Sequence, residues 1–230
     1  NISNKGSTLY STLEPCSHFG VTKPCTSSII KNKIKKVYYS TYDKDLRTFK
    51  KTNNILKSKK IISKSGLQQR KVFELYKQYN YTKTKRKSFI IGKIASSSNL
   101  KILKKNISIT NTFSRNTSHL LRFQNQGILT SYKTVNSDNP KLNCRLNGLE
   151  KFSPRVIVID KNLDIKINSF VIQNVKKNKL VIFHNSKKFK KIKILKKKNV
   201  KLICLKTSNN KFNINSITEH LYNMGIQRIL

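Results

Sequence analysis

Residues 155–160, with the sequence RVIVID, form an uninterrupted apolar run between two charged residues. Such a run is typical of a strand that is buried on both faces of a sheet. Similar short runs occur at 127–130, 180–183 and 202–205, and a further strand is predicted near Phe89. Helical patterns lie between or after these strands, at 111–124 and 216–224. The alternation predicts an α/β domain with a largely parallel sheet over residues 88–230.

Residues 1–87 are predicted to form a first, separate domain. Its predicted strands lie at 8–12, 34–40 and 60–63, and its predicted helices at 27–33, 48–59 and 68–79. The stretch 82–87, TKTKRK, is polar and basic without an apolar period. We therefore interpret it as a linker between the two domains.

The net charge of +40 and the isoelectric point of about 10.4 raise the question of a nucleic-acid partner. Asn and Ile are abundant together with Lys, and the basic residues are spread over the whole chain. A compositional bias raises all three residue types, whereas selection for nucleic-acid binding would favour only Lys and Arg. We therefore favour the bias, and keep a basic nucleic-acid-binding protein with a structural zinc as the alternative.

No apolar stretch is long enough to cross a bilayer, and no signal peptide opens the chain, so the cytoplasm is the predicted location. The chain starts at Asn1 and stops within an apolar run at Leu230. We expect a fragment that is truncated at both ends.

Two of the four cysteines have a spacing that suggests chemistry. Cys16 and Cys25 lie nine residues apart, and each follows a proline. By itself this spacing leaves open whether the pair binds a metal. We expect a helix to carry Cys16, whereas Cys144 and Cys204 occur singly in apolar surroundings and are predicted to be core residues.

Residues 12–25, TLEPCSHFGVTKPC, resemble the bifunctional deaminase–reductase family of riboflavin biosynthesis, which has this long loop between its two thiols. The resemblance implies a cytidine-deaminase-like three-layer α/β domain at 1–87, with zinc bound by Cys16 and Cys25. It also implies that the third ligand and the catalytic Glu belong to a His-Ala-Glu box expected upstream of Asn1. No catalytic residue is therefore predicted within this chain, and His18 does not replace the missing ligand.

Residues 109–122, ITNTFSRNTSHLLR, and 127–145, GILTSYKTVNSDNPKLNCR, resemble the reductase half of the same family. This resemblance implies a dihydrofolate-reductase-like α/β domain at 88–230 that binds NADPH and a phosphoribosyl pyrimidine substrate. The implied cofactor contacts are Ala95, Ser108, Thr134 and Asp138, and the implied substrate contacts are Asn106, Arg122, Leu142 and Arg145. Thr110 is the predicted N-cap of the helix, and we expect His119 on its solvated face.

The family deaminates a pyrimidine ribonucleotide and then reduces its ribosyl group with a hydride from NADPH, and its reductase domains commonly pair. The resemblance therefore implies the cofactors Zn²⁺ and NADPH and a homo-oligomer formed through the reductase domain. Asn99 and Leu100 stand where the family usually has Asp and Gly. A paralogue of the same fold that has lost activity is therefore a further alternative.

Overall fold

A computed structural model describes residues 3–97, 99–102, 110–176 and 179–230. The chain divides into two compact units, residues 1–86 and 87–230. This division lies one residue from the boundary predicted between 87 and 88. Each unit is an α/β unit whose main sheet has only parallel strand pairs among the described residues, as expected from the alternating pattern.

The first unit has a three-stranded sheet and four helices in its described part. In chain order the elements are β1 (Thr8–Leu13), α1 (Cys25–Lys31), β2 (Lys36–Thr41), α2 (Thr52–Ser58), β3 (Ile62–Ser65), α3 (Gln69–Leu75) and α4 (Lys77–Lys85). The strand order is β1-β2-β3, with Tyr10 opposite Tyr38 and Tyr38 opposite Lys64. Val37 and Tyr39 of the central strand are fully buried and pack with Ile29 of α1 and Leu56 of α2.

The prediction of a linker at 82–87 is wrong for most of these residues, because α4 extends to Lys85. Tertiary contacts stabilise this polar helix. Tyr79 donates a hydrogen bond to Asp43, Lys83 forms an ion pair with Asp45, and Thr82 is buried. The predicted helix at 68–79 is likewise two helices, which are separated at Tyr76.

The second unit contains a six-stranded sheet. Its elements are β4 (Phe89–Ile90), α5 (Thr112–Gln124), β5 (Gly127–Ser131), α6 (Tyr132–Asp138), a 3-10 helix (Glu150–Phe152), β6 (Arg155–Ile159), α7 (Phe170–Gln173), β7 (Leu180–His184), α8 (Phe189–Lys197), β8 (Lys201–Cys204), β9 (Thr207–Ser208), β10 (Lys211–Phe212), α9 (Ile214–Asn223) and β11 (Arg228–Ile229). The strand order is β4-β11-β5-β6-β7-β8, and β9 and β10 form a separate antiparallel pair.

Alternate residues of β6 enter two different cores. Val158 packs in one cluster with Ile182 and Leu195, on one face of the sheet. Ile157 packs in the other cluster with Phe183, on the opposite face. Burial on both faces explains why the strand sequence is continuously apolar.

Several expectations for single residues are wrong. Asn111 and not Thr110 caps α5, because the Asn111 side chain accepts a hydrogen bond from the backbone N–H of Ser114 at 2.9 Å. Cys144 is buried as predicted, but Cys204 is exposed at the end of the outermost strand β8.

None of the helices in the described ranges is long and apolar enough to cross a membrane.

Candidate functional site

The two candidate zinc ligands lie side by side in the first unit. Cys16 Sγ is 3.3 Å from Cys25 Sγ, and the backbone N–H of Cys25 donates to Cys16 Sγ at 3.1 Å. Both cysteines are free. Two thiolates on one tetrahedral zinc, with Zn–S bonds of ~2.3 Å, lie roughly 3.8 Å apart. The pair is therefore close to the separation that a shared metal requires.

Cys25 is the first residue of α1, and Cys16 lies in the loop after β1, so the expectation that a helix carries Cys16 is wrong. Desolvation is the largest cause that raises the pKa of the Cys25 thiol, followed by the hydrogen bond with Cys16. Burial and this hydrogen bond therefore favour the protonated form of the Cys25 thiol. A bound cation would reverse this preference, because only the thiolate binds zinc.

Glu14 holds the segment that enters the cysteine loop. Its buried carboxylate accepts backbone hydrogen bonds from Asp43, Lys50 and Thr52, at 3.1–3.2 Å. The Thr52 hydroxyl also donates to the Pro15 carbonyl at 2.6 Å. Both carboxylate oxygens are thus engaged with the backbone, so Glu14 has a structural role and does not serve as a proton shuttle.

The middle of the cysteine loop is bound to Thr48. His18 Nδ1 lies 2.9 Å from the Thr48 hydroxyl, which also accepts from the backbone N–H of Ser17. No group of three His, Cys, Asp or Glu side chains among residues 3–97, 99–102, 110–176 and 179–230 could hold a metal ion. Within this part of the chain, His18 therefore does not complete a metal-binding group with Cys16 and Cys25. Val21, in the same loop, is fully exposed.

A carboxylate with two basic partners supports the segment that carries Thr48. Arg47 donates to both oxygens of Asp45, at 2.9 and 2.7 Å, and Lys83 donates to Oδ2 at 2.9 Å. These bonds, above all the one from Arg47, hold the pKa of Asp45 well below its usual range. The contribution of this carboxylate to stability is present above the ordinary Asp pKa of about 4 and is lost as the pH falls below it.

In the second unit, Arg122 of α5 and Arg145 meet at one residue. Arg122 donates to the Asn143 carbonyl at 3.0 Å, and Arg145 donates to the Asn143 side-chain oxygen at 3.1 Å. Neither arginine forms an ion pair with a carboxylate in the described part of the chain. Burial lowers the pKa of Arg122, and the charge of Arg145 lowers it further. Two guanidinium groups without a counter-ion favour an anion at this position.

His119 belongs to the same cluster, so its expected place on a solvated helix face is wrong. Its Nδ1 accepts from the backbone N–H of Arg145 at 3.2 Å and lies 3.4 Å from Arg122 Nη1. Desolvation lowers the pKa of His119, and the charges of Arg122 and Arg145 add to this effect. The ring is therefore neutral at pH 7, with its proton on Nε2. The sequence did not predict a role for Asn143, because no sequence motif marks a residue whose backbone and side-chain oxygens accept from two arginines.

Thr134 and Asp138 lie one turn apart on the same face of α6, directly after β5. Ser131 caps this helix by accepting from the Thr134 N–H at 3.3 Å, and the buried Val135 anchors it in the core. Asp138 is exposed and accepts a hydrogen bond from Ser137 at 2.6 Å. Ala95 follows β4, and because β4, β11 and β5 are parallel, its loop leaves the sheet at the same edge as α6.

Three predicted cofactor or substrate contacts remain, of which the structure describes one. Asn106 and Ser108 lie outside the described residues. The Leu142 side chain is buried in the core, and its backbone has a φ of 52°, in the left-handed region. This conformation costs a leucine about 1–3 kcal/mol, and it turns the chain between Asp138 and Arg145.

The second unit thus defines a class of protein: an α/β unit in which two arginines meet at Asn143 and polar groups lie on a helix at the carboxyl edge of the sheet. The profile of the family described as the RibD C-terminal domain matches residues 81–230. The chain belongs to this family, as the motifs of its second half indicate.

The chain resembles three further proteins of known name. The riboflavin biosynthesis protein RibD of Aquifex aeolicus is 31% identical over 229 residues, which are 98% of this chain and 62% of that protein. A diaminohydroxyphosphoribosylamino-pyrimidine deaminase of Buchnera aphidicola is 48% identical over 63 residues, 27% of this chain and 43% of that protein.

The third similar protein is a diaminohydroxyphosphoribosylaminopyrimidine deaminase/5-amino-6-(5-phosphoribosylamino)uracil reductase of Thermotoga maritima, whose crystal structure is known. It superposes with a TM-score of 0.81 at 26% identity, over 98% of this chain and 61% of that chain. This chain therefore spans less than two thirds of the length of the Aquifex and Thermotoga proteins.

Proposed function

We propose that the protein containing this chain is a bifunctional enzyme of riboflavin biosynthesis. Its second unit would reduce the ribosyl group of a phosphoribosylaminopyrimidine with NADPH, after its first unit has deaminated the pyrimidine. Membership of the RibD C-terminal domain family supports the reductase half. The name of the Aquifex relative supports a role in riboflavin biosynthesis, and the name of the Thermotoga relative supports the reaction and its substrate. Pairing through the second unit and a cytoplasmic location remain predictions.

The observation that carries the reductase proposal is the meeting of Arg122 and Arg145 at Asn143. A phosphate monoester accepts hydrogen bonds from two guanidinium groups, and its charge would relieve their mutual repulsion. The neutral His119 beside them would hold the Arg145 backbone in place. These residues would bind and orient the substrate by its phosphate and take no part in the chemical step.

NADPH, when bound, would supply the hydride. Asp138, exposed at the end of α6, can accept hydrogen bonds from ribose hydroxyls, and Thr134 one turn earlier can both donate and accept. Ala95 leaves the sheet at the same edge and would line the same site. Their common edge fits a cofactor site, because parallel α/β sheets bind ligands at the carboxyl ends of their strands.

The substitution Arg145→Gln tests the reductase proposal. We expect kcat/KM for NADPH oxidation with 5-amino-6-(5-phosphoribosylamino)uracil to fall about tenfold or more, mainly through a higher KM, because a charged hydrogen bond to phosphate is lost. Arg70→Gln, which removes an exposed arginine from the first unit, is the matched control. Equal kinetics of the two variants would contradict the phosphate site.

The deaminase half rests on Cys16 and Cys25. Their Sγ–Sγ distance of 3.3 Å suits two ligands of one zinc ion, which when bound would activate water for hydrolytic deamination. The Buchnera relative named a deaminase supports this half, as does the resemblance to a cytidine-deaminase-like domain. The third ligand and the catalytic carboxylate are not assigned to any described residue, since Glu14 is engaged with the backbone.

Metal analysis of the protein that contains this chain tests the deaminase half. We expect about one zinc ion per chain, and loss of most of that zinc in Cys16→Ser, because zinc then loses one thiolate. Cys204→Ser, which alters an exposed cysteine remote in sequence, is the control and should keep its zinc. Equal zinc content in the two variants would contradict the assignment.

One observation favours the nucleic-acid alternative. Phe189 at the start of α8 is 78% exposed, and lysines surround it on the same helix. Exposed aromatic rings among basic residues are typical of surfaces that stack on single-stranded nucleic acid. Tight binding of random RNA with a steep salt dependence, lost in Phe189→Ala, would support this function.

A further inference from the structure

A cleft of about 350 Å³ lies at the starts of the strands of the second unit, where no function has been assigned. We call it the strand-start cleft. It is lined by the first residues of β11 and β6, by residues that precede β5 and β7, and by the end of α5 and the 3-10 helix. None of the predicted cofactor or substrate residues that the structure describes lines it. It lies at the sheet edge opposite to the one where Thr134 and Asp138 follow β5.

Three cations and a neutral glutamine stand in a row along this edge. Arg228, Gln126, Arg155 and Lys179 stand at the starts of the neighbouring strands β11, β5, β6 and β7. Backbone bonds set the order: the Gln126 N–H donates to the Arg228 carbonyl at 3.1 Å, and the Arg155 N–H donates to the Gln126 carbonyl at 2.9 Å. Strands about 4.8 Å apart make the row about 14 Å long. This length suits a chain of phosphate groups.

No carboxylate among the described residues forms an ion pair with this row. Lys151 adds a fourth cation to the lining, which contains no Asp or Glu. None of the four cations forms an ion pair in the part of the chain that the structure describes. Arg155 uses one N–H on the Met224 carbonyl, which leaves the rest of its guanidinium for a ligand.

The positions of arginine are informative about function in this chain, because most of its basic residues are lysine. Only eight of the 49 basic residues are arginine, and two of the eight line the strand-start cleft. Arginine differs from lysine in its planar fork, which matches two oxygens of one phosphate. A compositional bias toward lysine does not explain two arginines at one edge.

The other end of the cleft is uncharged and contains a buried amide and two aromatic rings. Asn125, which ends α5, is 4% exposed, and its Nδ2 donates to the Leu121 carbonyl at 2.8 Å. Its Oδ1 has no hydrogen-bond partner among the described residues. Beside it, Phe123 and the half-exposed Phe152 pack edge to face with ring centroids 5.5 Å apart. A buried acceptor without a partner beside an aromatic wall favours a flat ring that carries an N–H donor.

We propose that the strand-start cleft binds a nucleoside phosphate whose base carries an amino group. The base packs against Phe152 and donates to Asn125, and the phosphates lie along Arg155, Arg228 and Lys179. The volume of the cleft falls within the range of small-molecule sites. This second nucleotide site does not depend on the proposed reductase site, and it lies on a different edge of the sheet.

Calorimetric titration of the chain with ATP, adenosine and inorganic triphosphate tests the proposal. We expect ATP to bind at least tenfold more tightly than either of its parts. Arg228→Gln and Phe152→Ala should each weaken ATP binding at least fivefold, and Arg228→Lys should weaken it less than Arg228→Gln. Both residues are exposed enough to be replaced without loss of the core. Arg70→Gln, in the first unit, should leave the affinity unchanged.

Three results would overturn the proposal. The first is a loss of ATP binding in Asp138→Ala as large as the loss in Arg228→Gln, which would place ATP in the cofactor site. The second is a loss of ATP binding in Arg145→Gln as large as the loss in Arg228→Gln, which would place ATP at the Arg122–Arg145 pair. The third is binding of an oligoadenylate RNA tenfold tighter than ATP, which would assign the row to a nucleic-acid surface. Unchanged ATP binding in Asp138→Ala and in Arg145→Gln supports the cleft.

Discussion

At the scale of single residues, Glu14 shows how one buried charge can organise a loop. Its carboxylate accepts three backbone N–H groups that lie 29 to 38 residues further along the chain. These bonds place the segment 43–52 against Pro15, and therefore position Thr48 beside His18. The buried charge is tolerated because its oxygens are satisfied by hydrogen bonds.

His184, at the end of β7, makes stability depend on pH. Its side chain is buried, and desolvation lowers its pKa below the ordinary value of about 6.5. Below that value the unfolded chain takes up a proton that the folded chain excludes, so stability falls as the pH decreases and is full above about pH 7.5. We expect the urea midpoint to be lower at about pH 5.5 than at about pH 8.

His184→Asn should flatten this pH dependence in part, because Asn retains an acceptor for the Ser186 N–H and does not titrate. The remaining slope comes from His119, whose pKa is lowered in the same direction. Urea titrations of both proteins across this pH range are the measurement. An unchanged slope in His184→Asn would show that His184 is not the source.

At the scale of elements, the structure adds helices that periodicity does not indicate. The sequence FKKIKILKK of α8 has four apolar residues among nine, and only Leu195 of these is buried. In α6, hydroxyl and amide side chains obscure the helical pattern, yet this helix carries Thr134 and Asp138. The helix α4 forms on its contacts with Asp43 and Asp45. Such contacts override weak local preferences.

The N-cap of α5 gives a prediction at this scale. Asn111→Ala should lower the free energy of unfolding by about 1 kcal/mol, because the Ser114 N–H loses its acceptor. Asn116→Ala, at an exposed position within the same helix, is the matched control and should cost nothing. Urea midpoints of the two variants provide the comparison. An equal decrease of the urea midpoint in both variants would show that the Asn111 cap does not stabilise the helix.

At the scale of the whole molecule, charge is the dominant feature. The chain has 49 basic and nine acidic residues, and only five ion pairs occur among its described residues. Most of the positive charge is therefore unneutralised, and mutual repulsion opposes the folded state. Arg122 and Arg145, which form no ion pair with a described carboxylate, are a local example of this repulsion.

Salt should accordingly stabilise the protein. Raising NaCl from about 20 mM to about 300 mM shortens the screening length and weakens the repulsion. We expect the melting temperature to rise by roughly 2–4 °C for each kcal/mol that is relieved in a chain of this size. Thermal unfolding followed by circular dichroism across this salt range is the test. A melting temperature that stays constant or falls would mean that the repulsion is negligible.

The sequence by itself determined the α/β class, most strand positions and the second unit's family, because these depend on local apolar runs and on short motifs. It also indicated Cys16 with Cys25 and Arg122 with Arg145. Only the tertiary structure decided that Asn143 joins the two arginines, that β11 lies between β4 and β5, and that residues 82–85 are helical. Contacts between residues far apart in the chain determine these features, and no local pattern contains them.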